Sequence, residues 1–305
     1  MSSKSHIASP MHVNIREDHF TPWKFSQRER ILIIAPHPDD EVIAAGGVIA
    51  TFLELHDPSD MRVIVITNGD ASYISALMHG SHHFGKNNFR NLAILRQHES
   101  LNAIKILGLS VQQIRFWGFP DRGLAALWQG DKKTQIPYHS STTGYENSEQ
   151  ALNSPIVPFT GENLLELFNK EFCEFRPTAV ILPHLKDAHS DHSASAKFTL
   201  KALRRCQTET HLQAPMLLAY RIWFGGKPWL AGIRSDALDQ LSANDGSPLN
   251  GIRCMPLTPE IQKLKRQALQ CYRSQKQAAG QALRAAAQNT FEIFTLCGSD
   301  FNSDK

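Results

Sequence analysis

The sequence is poor in the features that mark several large protein classes. Its five cysteines (Cys173, Cys206, Cys254, Cys271 and Cys297) are scattered and odd in number, and none forms a C-x-x-C pair. That counts against a disulfide framework and a cysteine-ligated metal, and it predicts a reducing, cytoplasmic setting. No apolar run approaches the ~20 residues of a membrane span, so no transmembrane segment is expected. Residues 1–20 are polar, with charges and histidines, and lack the apolar centre of a secretory signal. The net charge is only +3, and no basic block or interleaved aromatic tract accompanies it, so nucleic acid is not an expected partner. No G-x-G-x-x-G follows the first apolar run, which removes the main signature of a dinucleotide-binding oxidoreductase. Internal repeats and low-complexity segments are absent as well.

What is present is a globular pattern. The chain has 305 residues, 42% of them hydrophobic and 20% charged, enough to bury a substantial core. Short aliphatic runs alternate with amphipathic stretches. Strands are predicted over about 30–35, 62–67, 112–116, 179–183 and 216–222. Helices are predicted over about 38–56, 91–107, 161–175, 193–206 and 259–275, with the small residues Ala44, Ala45, Gly46 and Gly47 allowing the first to approach the sheet. Residues 69–90 read as a long loop or short helices, and 129–161 and 225–256 as loop-rich tracts. Alternation of this kind implies an α/β fold with a mostly parallel, doubly wound sheet. The domain reading is an irregular lead-in over 1–28, a single domain over 29–298 and a polar tail over 299–305.

Two polar clusters sit just past predicted strands. The run Ile31–Ala35 leads into Pro36-His37-Pro38-Asp39-Asp40-Glu41, and Ala179–Leu182 leads towards Asp187-Ala188-His189-Ser190-Asp191-His192. In open α/β sheets the carboxyl ends of the strands form the ligand edge. Pro38 followed by three acids is also a good helix start. That reading explains neither the histidine before Pro38 nor the second His/Asp cluster. Together the two clusters point to one metal site built from distant parts of the chain. Catalytic zinc takes three His or carboxylate ligands and keeps a position open. His37 and Asp40, three residues apart, form one half of the expected set, and His192 is the candidate third ligand. Asp39 is then left free for general-base work, and His189 to stabilise an oxyanion or protonate a leaving amine. Asp187 or Asp191 is the candidate to orient that imidazole. Two histidines and one carboxylate suit zinc, and also Fe(II) or another divalent ion.

Pro36–Glu41 resembles the (A/P)HPDDE signature of the PIG-L/LmbE-like zinc-dependent deacetylases, and His189–His192 resembles their HPDH motif with Ser190 in place of proline. Thr67-Asn68-Gly69-Asp70-Ala71, the helix from Arg96 to Gly108, Phe119–Leu124 and the tract Lys265–Gln275 are similar to further family segments in the same order. The resemblance implies a Rossmann-like three-layer fold and a hydrolase of linear amide C–N bonds. It implies metal ligands His37, Asp40 and His192, with Asp39 as base and His189 as the residue that stabilises or protonates the intermediate. Arg96 and Asp121 match positions that contact substrate hydroxyls in sugar-processing relatives. For Arg96 the alternative is an ion pair with Glu99 on one helix face, and for Asp121 a turn residue before glycine. The implied substrate is an N-acetylated amino sugar of glucosamine type, as a small molecule or a glycoconjugate. The alternatives are an amidase for a non-sugar or thiol-conjugate amide and a catalytically silent sugar-binding module. His79, His82 and His83 lack matching carboxylates for a second metal site. Trp223 and Trp229 are candidates for a sugar-stacking wall or for lid packing.

Overall fold

Strand β2 (Ile31–Ala35) is an unbroken aliphatic run, buried at every residue, as a strand covered on both faces must be. A computed structural model of the chain describes residues 21–80, 83–130, 136–224, 227–228 and 251–297. In it Ile31, Ile33 and Ala35 enter one apolar core, and Leu32 and Ile34 another. The alternation recurs in β3 (Met61–Thr67) and β5 (Ala179–Pro183), where Val63, Val65, Ala179 and Ile181 join the first core and Ile64, Ile66, Val180 and Leu182 the second. Side chains that alternate between two cores require a helical layer on each face. Helices α1 (Asp40–Leu53) and α3 (Lys86–Ile106) cover one face, with α2 (Tyr73–His79) packed on α3. Helices α4 (Leu124–Gln129), α5 (Gly161–Phe175) and α6 (Ser190–Thr210) cover the other. The C-terminal helices α7 (Pro259–Leu269) and α8 (Gly280–Gln288) return to the first face.

Among the described residues eight strands join one sheet in the order β1 (Thr21–Pro22), β9 (Ile252–Pro256), β10 (Phe291–Leu296), β6 (Met216–Tyr220), β5, β2, β3, β4 (Ile114–Phe119). All neighbours run parallel except β10, which is antiparallel to β6 and β9. A short ribbon, β7 (Trp223–Phe224) and β8 (Lys227–Pro228), follows β6. From β2 the chain moves outward through β3 and β4, then returns to place β5 and β6 on the other side. The switch point lies between β2 and β5, where such sheets open a ligand crevice.

Several boundaries differ from those read in the sequence. Thr21–Pro22 is not irregular: it pairs with β9 at the sheet edge, where proline's missing N–H costs no ladder bond. Helix α3 starts at Lys86, because the Gly85 N–H is taken by Asn88 Oδ1 (3.1 Å). Strand β4 begins at Ile114 and runs on through Trp117-Gly118-Phe119. Helix α7 stops at Leu269, and Arg273–Gln275 forms a separate 3₁₀ turn. Of the 225–256 tract, Ile252–Pro256 is a strand. His82, Trp229, the rest of the lead-in before Thr21 and the tail over 299–305 lie outside the described residues.

Candidate active site

The loop after β2 is tied down before it reaches its acids. The Pro36 carbonyl accepts both the Thr67 N–H (2.9 Å) and the Thr67 hydroxyl (2.8 Å), which fixes it to the end of β3. The chain then turns tightly: His37 N–H donates to Asp40 Oδ2 (2.9 Å) and Asp40 N–H to the His37 carbonyl (3.2 Å). Asp39 caps α1 with φ 129° and ψ −30°, a conformation costly for any residue with a Cβ. Its surroundings hold it there. Its N–H donates to Glu41 Oε2 (2.9 Å). The other Glu41 oxygen accepts the Ser100 hydroxyl (2.5 Å) and the Tyr272 hydroxyl (2.7 Å). Arg96 Nη2 donates to Asp39 Oδ2 (3.1 Å) and the Pro38 carbonyl (2.6 Å), and Arg96 Nη1 to the Gly69 carbonyl (2.5 Å). Gly69 has φ 61°, and a Cβ there would lie 2.0 Å from Arg96 Nη1, so only glycine lets the guanidinium pass.

The second cluster meets the first across the switch point. His192, fully buried on α6, places Nε2 3.2 Å from Asp40 Oδ2 and Nδ1 3.3 Å from Asp187 Oδ2. His37 Nδ1 lies 3.1 Å from the same Asp40 oxygen. Asp40 Oδ2 therefore sits between the His37 and His192 rings. Neither ring nitrogen of His192 has hydrogen-bond geometry to its carboxylate neighbour, which leaves both orphaned in the interior. A fully buried imidazole with both nitrogens unsatisfied, beside a second imidazole and a carboxylate, fits a divalent ion and accounts poorly for a neutral core. His189 completes a triangle of rings, 4.7 Å from His37 and 5.1 Å from His192 between centroids. Among the described residues two sets of side chains hold all their ligand atoms within 4.8 Å of one another, His37 with His189 and His192, and His37 with Asp121 and Asp191; Asp40 belongs to neither, and meets His37 and His192 only pairwise. His79 and His83 belong to neither.

Each remaining residue has a definite place. Asp187 is buried: Oδ1 accepts the His189 N–H (2.9 Å), and Oδ2 accepts the Ile222 N–H (2.8 Å) and the Trp223 N–H (3.1 Å), which ties the end of β6 to the site. The Asp191 carboxylate does not face the His189 ring. It accepts the N–H groups of Arg122 (2.6 Å) and Leu124 (3.2 Å) and lies 3.3 Å from His37 Nε2, because the turn after β4 presents unpaired donors there. The Asp191 N–H instead points at His189 Nδ1 (3.3 Å), which leaves Nε2 to carry the proton of a neutral ring. Asp121 Oδ1 is 3.3 Å from His37 Nε2, and its Oδ2 accepts the Ala71 N–H (2.8 Å). The alternative offered for Arg96, an ion pair with Glu99, is not formed: Arg96 turns to Asp39, and Glu99 accepts the Ser274 N–H (2.8 Å) and hydroxyl (2.6 Å).

The electrostatics follow from this crowding. Burial pushes the Asp39 carboxyl up to about 8; the Arg96 cation opposes the rise, and Asp40 and Glu41 reinforce it. Burial acts on Asp40 in the same direction, but His192 and His37 outweigh it and hold Asp40 well below the usual carboxylate range. Burial pushes His189 down to about 3, helped by the neighbouring His37 and His192, so its ring is neutral at physiological pH. Asp70, against Asp121, is pushed up to about 7, first by burial and then by that charge. Asp39, Asp40 and His189 face an open cleft also lined by His37, Arg96 and Asp121, with Ile43, Ile222 and Trp223 as an apolar wall; Asp70 lines a separate, smaller pocket.

Comparison with known proteins shows the family and the fold. A profile described as "PIG-L: GlcNAc-PI de-N-acetylase" matches residues 32–203, more than half of the chain. The chain belongs to the PIG-L family. No curated protein sequence matches significantly. Several solved structures share the PIG-L fold at low identity. The N,N'-diacetylchitobiose deacetylase from Pyrococcus horikoshii is 17% identical with TM-score 0.51, covering 88% of this chain and 83% of that one. The A40926 pseudoaglycone deacetylase Dbv21 is 18% identical with TM-score 0.53, covering 88% and 98%. GalB, the 4-carboxy-2-hydroxymuconate hydratase from Pseudomonas putida KT2440, is 16% identical with TM-score 0.50, covering 88% and 95%. The PIG-L match ends at residue 203, yet Tyr272, Ser274 and Gln275, from beyond it, brace or line the cleft. These were legible only as part of the similar Lys265–Gln275 tract, because their role depends on contacts remote in sequence.

Proposed function

We propose that this PIG-L family member is a metal-dependent hydrolase that removes an N-acyl group, in the first place N-acetyl, from an amino sugar of glucosamine type. The observation that carries the reading is Asp39. Its carboxylate is buried at the cleft, paired with Arg96, and next to Asp40, which sits between His37 and His192. A binding module has no use for so costly an arrangement. His37, Asp40 and His192 are the proposed ligands of a divalent ion, zinc by family resemblance. Such an ion acidifies water and polarises a carbonyl oxygen. Asp39 takes the proton of the attacking water and hands it to the amide nitrogen as the C–N bond breaks. His189, neutral with its proton on Nε2, donates to the developing oxyanion. The products are the carboxylate, acetate in the first case, and the free amine.

Asp121 and Arg96 are the proposed contacts to the sugar. Arg96 uses both Nη2 hydrogens on Asp39 and Pro38 and one Nη1 hydrogen on Gly69, which leaves the second Nη1 N–H and the buried Nε N–H of its five donors. Asp191, in the first turn of α6, supports the site by accepting the N–H groups of the turn after β4. Trp223 supplies a flat face against which a sugar ring can pack. The five cysteines are all unpaired, which supports a reducing, cytoplasmic setting. Among the described residues no helix is long and apolar enough to cross a membrane. The test is acetate release from a panel of N-acetylated glucosamine compounds, with metal content measured on the same preparations. Asp39→Ala is expected to retain metal and lose turnover by about 10²–10⁴-fold. Full activity in that variant would overturn the base assignment.

A further inference from the structure

Helix α1, which carries the catalytic acids, is broken. At Ala45 the backbone leaves the helical region (φ −137°, ψ 16°). In a continuous helix the Gly47 N–H would bond the Ile43 carbonyl, and the Val48 N–H the Ala44 carbonyl. Instead Gly47 N–H donates to Glu292 Oε1 (2.7 Å) and Val48 N–H to Glu292 Oε2 (2.8 Å). The freed Ile43 carbonyl accepts Lys265 Nζ (3.1 Å), which also donates to Glu292 Oε1 (2.5 Å). A buried ion pair is thus spliced into the helix's own hydrogen-bond ladder.

The sequence is shaped to admit it. A Cβ at position 47 would lie 2.3 Å from Leu257 Cδ2 and 3.0 Å from Glu292 Cδ, and one at position 46 would lie 3.3 Å from Lys265 Cγ. Gly46-Gly47 therefore seats Lys265 from α7 and Glu292 from β10. Burying two charges is costly unless their hydrogen-bonding groups are met, and here the pair meets both freed N–H groups and the Ile43 carbonyl. The break comes within two turns of Asp39 and Asp40, and Ile43, held by Lys265, lines the cleft.

We propose that Lys265 and Glu292 are positioning residues for the active site. By holding α1 open at Ala45 they set the direction of its first turn, and so the places of Asp39 and Asp40. The effect on turnover rests on the deacetylase reading; the effect on metal affinity does not.

The experiment uses the full chain as wild type, Glu292→Gln, Lys265→Met and the double variant, which leaves no lone buried charge. Zinc affinity of chelator-treated protein is measured by competition with a chromophoric chelator, acetate release gives kcat and KM, and circular dichroism reports the fold. The double variant is expected to fold, to bind zinc about tenfold or more weakly, and to lose about 10–100-fold in kcat with KM little changed, as misplaced catalytic groups do. The single variants that fold should show the same loss, since the pair acts as a unit. If the double variant does not fold, Glu292→Asp, which keeps the charges and shortens the reach, is expected to show the same losses. Wild-type zinc affinity and kcat in a folded variant of this set, with only the melting temperature lowered, would overturn the proposal. Weakened zinc binding in the variants with no acetate from any sugar, even by wild type, would uphold the positioning role and sink the substrate reading.

Discussion

Asp39 combines a left-handed backbone, near-complete burial and an ion pair with Arg96. Each fits a side chain held for proton transfer. The sign of its pH response can be worked out. Burial raises the Asp39 carboxyl to about 8, and the Arg96 cation opposes that rise. Removing the cation in Arg96→Gln raises the pKa further. A base works only when ionised, so the acid limb of kcat/KM should move to higher pH than in wild type. An unmoved limb would show that Arg96 does not tune Asp39. His189 is neutral at physiological pH and gives a second prediction at this scale. His189→Ala should keep its metal and lose about 10²–10³-fold in kcat, the usual cost of one oxyanion donor; loss of metal would make His189 a ligand. Residue types and spacing were enough to nominate His37, Asp39, Asp40, His189 and His192. They could not orient Asp191, because the donors it meets, Arg122 and Leu124, lie about seventy residues away in sequence.

Legibility among the elements tracked burial pattern. β2 and β5 are continuous aliphatic runs, and α5 has a threonine cap (the Thr160 hydroxyl accepts from Asn163 N, 3.1 Å) and a strongly one-sided apolar face, so their bounds could be read directly. β9 and β10 mix buried and half-exposed residues without a regular period near one sheet edge, and their strand character comes from pairing, β9 with β1 and β10, and β10 with β6. Helix α1 reads as continuous in the sequence, with Gly46-Gly47 as room for the sheet. The groups that approach are Glu292 of the sheet strand β10 together with Lys265 of α7 and Leu257. Behind the first turn of α1, Glu41 is held by Ser100 and Tyr272. Tyr272→Phe removes one of these donors from a buried carboxyl. It should cost about 1–3 kcal/mol in denaturant unfolding and lower kcat, because Glu41 holds the Asp39 N–H. Unchanged stability and turnover would show that Ser100 alone suffices.

At the scale of the molecule, the sheet order explains why clusters 150 residues apart form one site. β2 and β5 are adjacent and parallel, so the loops that follow them open on the same edge at the switch point. The fold alone does not fix the chemistry: a hydratase shares it. A site assembled between two halves of the chain should couple metal binding to global stability. Zinc at a hundredfold excess over its dissociation constant should stabilise the chelator-treated protein by about 2.7 kcal/mol, and this gain should vanish in His192→Ala. The most direct measurement of the central claim is metal content together with acetate release from N-acetylated glucosamine compounds, for wild type, His37→Ala and Asp39→Ala. The account predicts one divalent ion in wild type and in Asp39→Ala, none in His37→Ala, and acetate from wild type alone. A wild-type protein that binds no metal in chelator-free buffer, or an Asp39→Ala variant as active as wild type, would contradict it.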